Sequence, residues 1–250
     1  MAHIVIGLPE IEQLHLHSRL ARRLAARGHR VSVWPGDPVT FEVYSHQGLA
    51  CRELRPATPK AAGLVAPVAE FAEIDARLAG RPAGSAAVER ALARAAAGLA
   101  RLIETDPPDL TLVFAGRSGR HRLLHFLSVG HGIRVLHVGP GLLPSTLQVD
   151  AQGVDGDASF GQAGPQDYRS AAVDDALLDA ATAAWLGHAL PPPLPRLGFS
   201  VPPLGDRVFA ALRAFGRGQW RLATQGLNAW ERAHRLPRLP DPPPAMPPAP

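Results

Sequence analysis

The sequence predicts an α/β fold built on a parallel sheet of about five strands, followed by C-terminal helices and a proline-rich tail. Short apolar runs of strand length alternate with stretches of helical spacing over roughly residues 3–160. The clearest unit, residues 110–138, reads strand, helix, strand, which is a parallel crossover. Beyond Asp157 the alternation stops and only helical spacing and proline follow.

Residues 3–8 (HIVIGL) form a buried-type strand, and residues 18–27 a helix with Leu20, Ala21 and Leu24 on one face and arginines on the other. Gly28 sits where a helix ends on a residue at positive φ, and residues 29–34 follow as the next strand. This opening lacks the G-x-G-x-x-G turn, which excludes a nicotinamide or flavin dinucleotide enzyme. A short helix is expected over 41–47, and an edge-like strand over 49–54 before Pro56 and Pro59. Residues 61–78 and 86–103 read as helices separated by GRPAG, the second with Val88, Leu92, Leu99 and Leu102 available for packing. Pro107 and Pro108 end that region, and strand 110–114, helix 120–129 and strand 133–138 complete the alternation.

In a parallel sheet the loops leaving the carboxyl ends of the strands face the ligand crevice. Here those loops are 115–119 and 139–141, the latter opening into a polar, Gly/Pro-punctuated stretch over 142–155. Ordered loops of that length at that position usually carry function. Further on, residues 171–188 read as an amphipathic helix and 191–203 as a proline-rich connector. Helical segments over 206–215 and 219–235 carry Phe209, Phe215, Trp220 and Trp230. The expected domains are 1–165, a helical extension over 166–238, and a disordered proline-rich tail over 239–250.

At 250 residues and 46% hydrophobic content the chain can bury one good core. The net charge is +4, and because Lys60 is the only lysine, that basicity is almost wholly arginine. No arginine cluster interleaves with aromatics, so nucleic acid is not an expected partner, while anionic sugars, nucleotides or a membrane surface stay open. The single cysteine, Cys51, excludes an intramolecular disulfide and argues against a cysteine zinc site. Met1 leads straight into a strand without a basic leader, and no apolar run approaches membrane-spanning length. A cytoplasmic chain is expected, with at most peripheral association at the inner membrane.

His15 and His17 diverge on a helix, whereas His121 and His125 share a face, as metal ligands do. No third ligand has a fixed spacing to them, so no metal and no cofactor are assigned. Arg117, Arg120 and Arg122 follow a strand end at a helix N-terminus, a setting that suits phosphate or carboxylate and equally a solvated basic turn. Asp150, Asp155 and Asp157 lie among glycines without EF-hand spacing. They can serve as turn formers, or as a nucleophile or base in sugar chemistry.

These residues resemble the bacterial capsule polysaccharide biosynthesis proteins that include β-Kdo transferases. The matching positions are Ala115-Gly116, Gly139-Pro140-Gly141, Leu143-Pro144-Ser145-Thr146 and Asp150-Ala151-Gln152-Gly153-Val154-Asp155. The resemblance covers about residues 1–165. It implies a Rossmann-like N-terminal half of a GT-B glycosyltransferase, CMP-Kdo as donor, a glycolipid or polysaccharide acceptor, and Asp150 as nucleophile. Gly116, Arg117, Gly141, Pro144, Thr146 and Gly153 become the expected substrate-binding residues. The family's Glu and Asn positions are occupied by Gly139 and Ala115, and no second Rossmann pattern follows Asp157. The expectation is therefore a capsule-type glycosyltransferase-like protein that transfers Kdo from CMP-Kdo in surface polysaccharide or glycolipid assembly and is inactive alone. The alternatives are a non-catalytic acceptor-binding or scaffold subunit, or half of a split glycosyltransferase whose nucleotide-binding domain is a second chain.

Overall fold

The structure is a computed structural model and describes residues 1–59, 66–114, 116–141, 147–154, 157–164, 166, 174–186 and 204–216. Its centre is a five-stranded sheet of β1 (His3–Gly7), β2 (Arg30–Trp34), β3 (Leu110–Phe114), β4 (Arg134–Pro140) and β5 (Leu147–Asp150), in the order β2-β1-β3-β4-β5. The pairings β1–β2, β1–β3 and β3–β4 are parallel, so the predicted α/β class holds.

The fifth strand differs from the sequence reading. Residues 49–54 contribute only a parallel bridge between Cys51 and Val33, held by the Val33 amide donating to the Ala50 carbonyl and the Arg52 amide to the Val33 carbonyl, both at 2.8 Å, while the Arg52 and Glu53 side chains pair with Asp106 and Arg213. The edge is instead β5, which pairs antiparallel to β4 with His137 opposite Asp150 and Gly139 opposite Gln148. Residues 141–146 are too few for a parallel crossover, which takes about a dozen, so the chain can only turn back.

Side-chain alternation along the strands divides the core in two. Ile4, Ile6, Leu112, Phe114 and Val138 pack with Leu14 and Ala21 of α1 (Leu14–Ala26) and with Val39, Val43 and Tyr44 of α2 (Pro38–Ser45). Val5, Val113 and Val135 pack on the other face with α3 (Val68–Leu78), α4 (Ala86–Thr105) and α5 (Gly119–Gly130) through Phe71, Leu92, Leu99, Leu123, Leu124 and Leu127. Each fully buried side chain of this kind contributes about 1.5–3 kcal/mol of transfer free energy.

Local signals explain several boundaries. Asp37 caps α2 by accepting from the Val39 and Thr40 amides, both at 2.9 Å, and Pro38 opens the helix with no amide to lose. Gly28 takes φ 82 after α1, as its place in the sequence requires. α1 itself starts at Leu14, earlier than expected, because Leu14 and His17 are buried against the sheet and extend the packed face. Of the later segments, α6 (Asp175–Leu186) and α7 (Leu204–Gly216) are described. α7 joins the first core face through Ala210, Ala211 and Ala214, and Arg213 pairs with the buried Glu53. Among the described residues no helix is long and apolar enough to cross a membrane. The expected connector, the helix over 219–235 and the terminal tail lie outside the described residues.

Candidate functional site

The strand order changes direction between β1 and β3, and ligands of open α/β sheets bind beyond the carboxyl ends near such a point. At this end, displaced toward β4, lies a cavity of about 370 Å³. Gly116 and Arg117 wall it from the loop after β3, Arg122, His125 and Phe126 from α5, and His137 from β4. Gln152, Gly153, Val154 and Asp157 close it from the loop after β5, and Phe71 from α3.

Each wall is held by local chemistry. Ser118 caps α5, its Oγ accepting from the His121 amide at 3.3 Å, and Asp75 accepts from the Gly119 amide at 2.7 Å. The Gly119 and His121 amides at this helix N-terminus are therefore engaged by the chain's own oxygens. Gly119 must be glycine, since a Cβ there would lie 2.1 Å from the Phe71 carbonyl oxygen. Gly116 adopts φ 63, and its absent Cβ would sit 3.0 Å from His137 Nδ1. Gly153 has no room for a side chain either, its Cβ position being 2.8 Å from the Asp157 carbonyl oxygen.

Asp150 organises the loop after β5. One carboxylate oxygen accepts from the Gln152 and Gly153 amides at 2.7 and 3.3 Å, and the other from the Ser159 amide at 3.1 Å and the Ser159 hydroxyl. The Ser159 hydroxyl, followed by the backbone amides, holds the Asp150 carboxyl below its usual range. Asp150 thus anchors the segment that presents Gln152, Gly153, Val154 and Asp157 to the cavity. Asp157 accepts from Arg122 at 2.6 Å across the rim.

The polar floor is a histidine pair. His125 Nδ1 and His137 Nε2 are 2.9 Å apart, in hydrogen-bond contact. His137 is only 5% exposed, and its other ring nitrogen, Nδ1, is buried without a partner. Burial, then the neighbouring His125, lowers His137 to about 4. Burial and the Arg122 guanidinium lower His125 as well. Both rings are neutral at pH 7, which makes the pair a proton acceptor or a hydrogen-bonding seat for hydroxyl groups.

Of the expected site residues, Gly116, Arg117 and Gly153 line this cavity, and Asp150 supports it. Gly141 follows β4 directly, is partly buried and is not among the lining residues. Ala115, Pro144, Thr146 and Asp155 lie outside the described residues. His121 and His125 do not act together: His121 uses Nδ1 toward Ser118 Oγ and Nε2 toward the Leu8 carbonyl, while His125 meets His137. Among the described residues no group of three or more His, Cys, Asp or Glu converges as metal ligands do. Cys51 is raised by burial to about 11 and stays a thiol. His137 was not singled out in the sequence; its signal is a histidine inside the apolar run 133–138, two residues before the strand-end glycine.

No family model matches the chain. No curated protein matches it either. Among solved structures it is similar to the Streptomyces sp. SF2575 glycosyltransferase SsfS6 complexed with thymidine diphosphate, at TM-score 0.36 and 17% identity over 56% of this chain and 38% of that one. It is similar to the spinosyn rhamnosyltransferase SpnG at TM-score 0.37 and 18% identity, over 82% of this chain and 44% of that one. The calicheamicin glycosyltransferase CalG4 gives TM-score 0.37 and 15% identity over 75% and 42%. The chain spans less than half the length of each of these structures.

Proposed function

We propose that this chain is a glycosyltransferase-like protein whose α/β body is the acceptor-side half of a two-Rossmann transferase. The donor is a nucleotide sugar held by a nucleotide-binding domain, and the acceptor is a glycolipid or polysaccharide hydroxyl entering the cavity. One observation carries the reading. Stretches that resemble the capsule-type transferases, far apart in sequence, converge on the same cavity: Gly116 from one, and Gln152, Gly153 and Val154 from another. Convergence at the carboxyl ends of the strands is what a ligand site in this architecture requires.

The finer reading follows the same resemblance: CMP-Kdo is the donor, and assembly of a capsule or other surface glycan is the setting. Asp150 supports the loop here, since attack by its carboxylate on an anomeric carbon would first require release of Ser159 and the amides it holds. Incubation of the chain with CMP-Kdo, with and without a Kdo-bearing glycolipid, tests this. The expected result is that the chain alone releases no CMP, because it holds the acceptor side only. The glycolipid is expected to shift the Gly116 and Gly153 amide resonances. Rapid CMP release by the chain alone, a Kdo adduct on Asp150, or unshifted amides would each count against the proposal. Parallel titration with a thymidine diphosphate sugar separates Kdo specificity from a broader transferase reading.

A second reading, a non-catalytic acceptor-binding subunit, is favoured by Gly139. Where the resembled family carries Glu, a Cβ on Gly139 would lie 3.0 Å from Val154 Cγ1, so the space for a side chain is filled.

A further inference from the structure

We propose that His125 and His137 act as a dyad that removes the proton from the acceptor hydroxyl, with His125 Nε2 as proton acceptor and His137 as its positioning partner. This rests on the reading of the cavity as an acceptor site. The two rings stand on rigid elements. His137 is paired on both sides within the sheet, to Val113 of β3 and Asp150 of β5, and His125 lies in mid α5. Only one proton can occupy the 2.9 Å line between Nδ1 of His125 and Nε2 of His137, so a neutral dyad presents one lone pair at one of its outer ends.

The surroundings decide which end meets the ligand. His125 borders the cavity with Nδ1 turned to its partner, which leaves Nε2 to meet a bound group. In that tautomer His137 carries its hydrogen on Nδ1, beside Gly116 and without an acceptor in the chain. A polyhydroxyl ligand in the cavity gives an O–H to His125 Nε2.

The balance of the step is as follows. The acceptor O–H bond breaks with its proton going to His125 Nε2, and the oxygen forms the bond to the anomeric carbon. The bond from that carbon to the nucleotide phosphate oxygen breaks, and its electron pair leaves with the nucleotide. The resulting His125 imidazolium is stabilised by donating Nδ1–H to His137, the arrangement in which a base is oriented by a third group. Arg117 in the loop after β3, Arg122 and His121 on α5, and Asp150 and Asp157 from the β5 side are the charged and titratable groups around the dyad. Arg122 disfavours the His125 imidazolium, so its loss moves the pH dependence upward.

Nitrogen NMR of the histidine-labelled full chain, titrated with the methyl glycoside of Kdo, tests the assignment. The expected result is a His125 with hydrogen on Nδ1 and a free Nε2 whose resonance moves on addition of the glycoside, together with shifts of the Gly116 and Gly153 amides. His137→Phe is expected to abolish the single His125 tautomer, while His137→Gln restores part of it through its amide oxygen. A glycoside that shifts the Gly116 and Gly153 amides but leaves His125 Nε2 unmoved overturns the dyad and leaves the acceptor reading standing. Failure of both overturns that reading together with the dyad. A His125 with hydrogen on Nε2 in the free and bound protein reverses the assigned direction and overturns the proposal.

Discussion

Two buried histidines at the carboxyl end of the sheet, on opposite faces, share one chemistry and differ in surroundings. His17 on α1 is fully buried, and Tyr44 lies 2.7 Å from its Nδ1. The Tyr44 hydroxyl hydrogen goes to the Glu10 carbonyl at 2.9 Å, so His17 Nδ1–H is the donor and its Nε2 keeps an unpartnered lone pair. Phe114 closes over the ring with centroids 3.9 Å apart. His137 likewise has one paired and one orphaned nitrogen, but its residue lines a cavity that Gly116, Gly153, Arg117 and Arg122 also wall. An orphaned polar atom is a sign of ligand binding only where there is volume for the ligand; sealed by apolar groups, it is a stability cost.

The largest effect that separates the two is acid sensitivity. Burial lowers His17 to about 3, below the value near 6.5 of an unfolded histidine. The unfolded chain therefore takes up a proton that the native site refuses, so the stability His17 allows is complete above about pH 6.5 and is lost as pH falls toward about 3. Through that window the loss is about 1.4 kcal/mol per pH unit. His137, lowered to about 4, adds to the slope over a shorter range. Urea melts between about pH 7 and about pH 4 are expected to show a slope shallower by about 1.4 kcal/mol per pH unit in His17→Phe than in the native chain. An unchanged slope in that variant means the acid response originates elsewhere.

Glycine substitutions give the next contrast. Gly116→Ala and Gly28→Ala both force a side chain to positive φ, at 63° and 82°. Each is expected to cost about 1–2 kcal/mol by thermal or urea unfolding. Nothing lies within 4 Å of a Cβ on Gly28, whereas on Gly116 it presses on His137 Nδ1. Only Gly116→Ala should therefore change the His137 resonances and weaken binding of the Kdo glycoside. Equal binding in both variants would detach Gly116 from the cavity's function.

How much was legible in the sequence follows from the same physics. Strands buried on both faces are continuous apolar runs, so His3–Gly7, Leu110–Phe114 and most of Arg134–Pro140 could be read directly, with the helices between them. β5 could not: Leu147 and Val149 alternate with polar residues over one short segment and are 50% and 58% exposed, so they lack the burial signature. The 49–54 run, read as an edge-like strand, does run parallel beside β2 but shortens to one bridge, and its Arg52 and Glu53 pair with Asp106 and Arg213, distant in sequence. At the site, Gly116 and Gly153 were marked by motif and turned out to be steric necessities. His137 was hidden because a histidine in an apolar strand reads as core, and its meeting with His125 exists only once α5 lies across β4.

A smaller change is expected from Asp150→Ala. It removes the acceptor for three amides and the Ser159 hydroxyl on an exposed loop, a loss comparable to a helix cap at about 1 kcal/mol. Hydrogen exchange at the Gln152 and Gly153 amides should accelerate, and glycoside binding should weaken as the loop loosens. Asp150→Asn, which keeps one carbonyl oxygen, should preserve much of both. If Asp150→Ala leaves the exchange unchanged and abolishes only transfer, the carboxylate acts chemically instead of as an anchor.

The smallest expected change in stability is the most discriminating. His137→Phe removes one hydrogen bond to His125, worth about 0.5–1.5 kcal/mol net, but also removes a buried nitrogen that has no partner and is costly by a similar amount. His125 is only half-buried and can turn its freed Nδ1 to water. The two changes nearly cancel, so the midpoint of unfolding at about pH 7 should move by less than about 1 kcal/mol in either direction. At lower pH the variant should exceed the native chain in stability, because an imidazole that resists protonation in the fold is gone. The His125 response to the Kdo glycoside should nevertheless vanish, whereas His17→Phe should retain it. A His137→Phe variant that loses stability heavily while binding the glycoside normally would make His137 a core residue like His17, and the cavity beside it incidental.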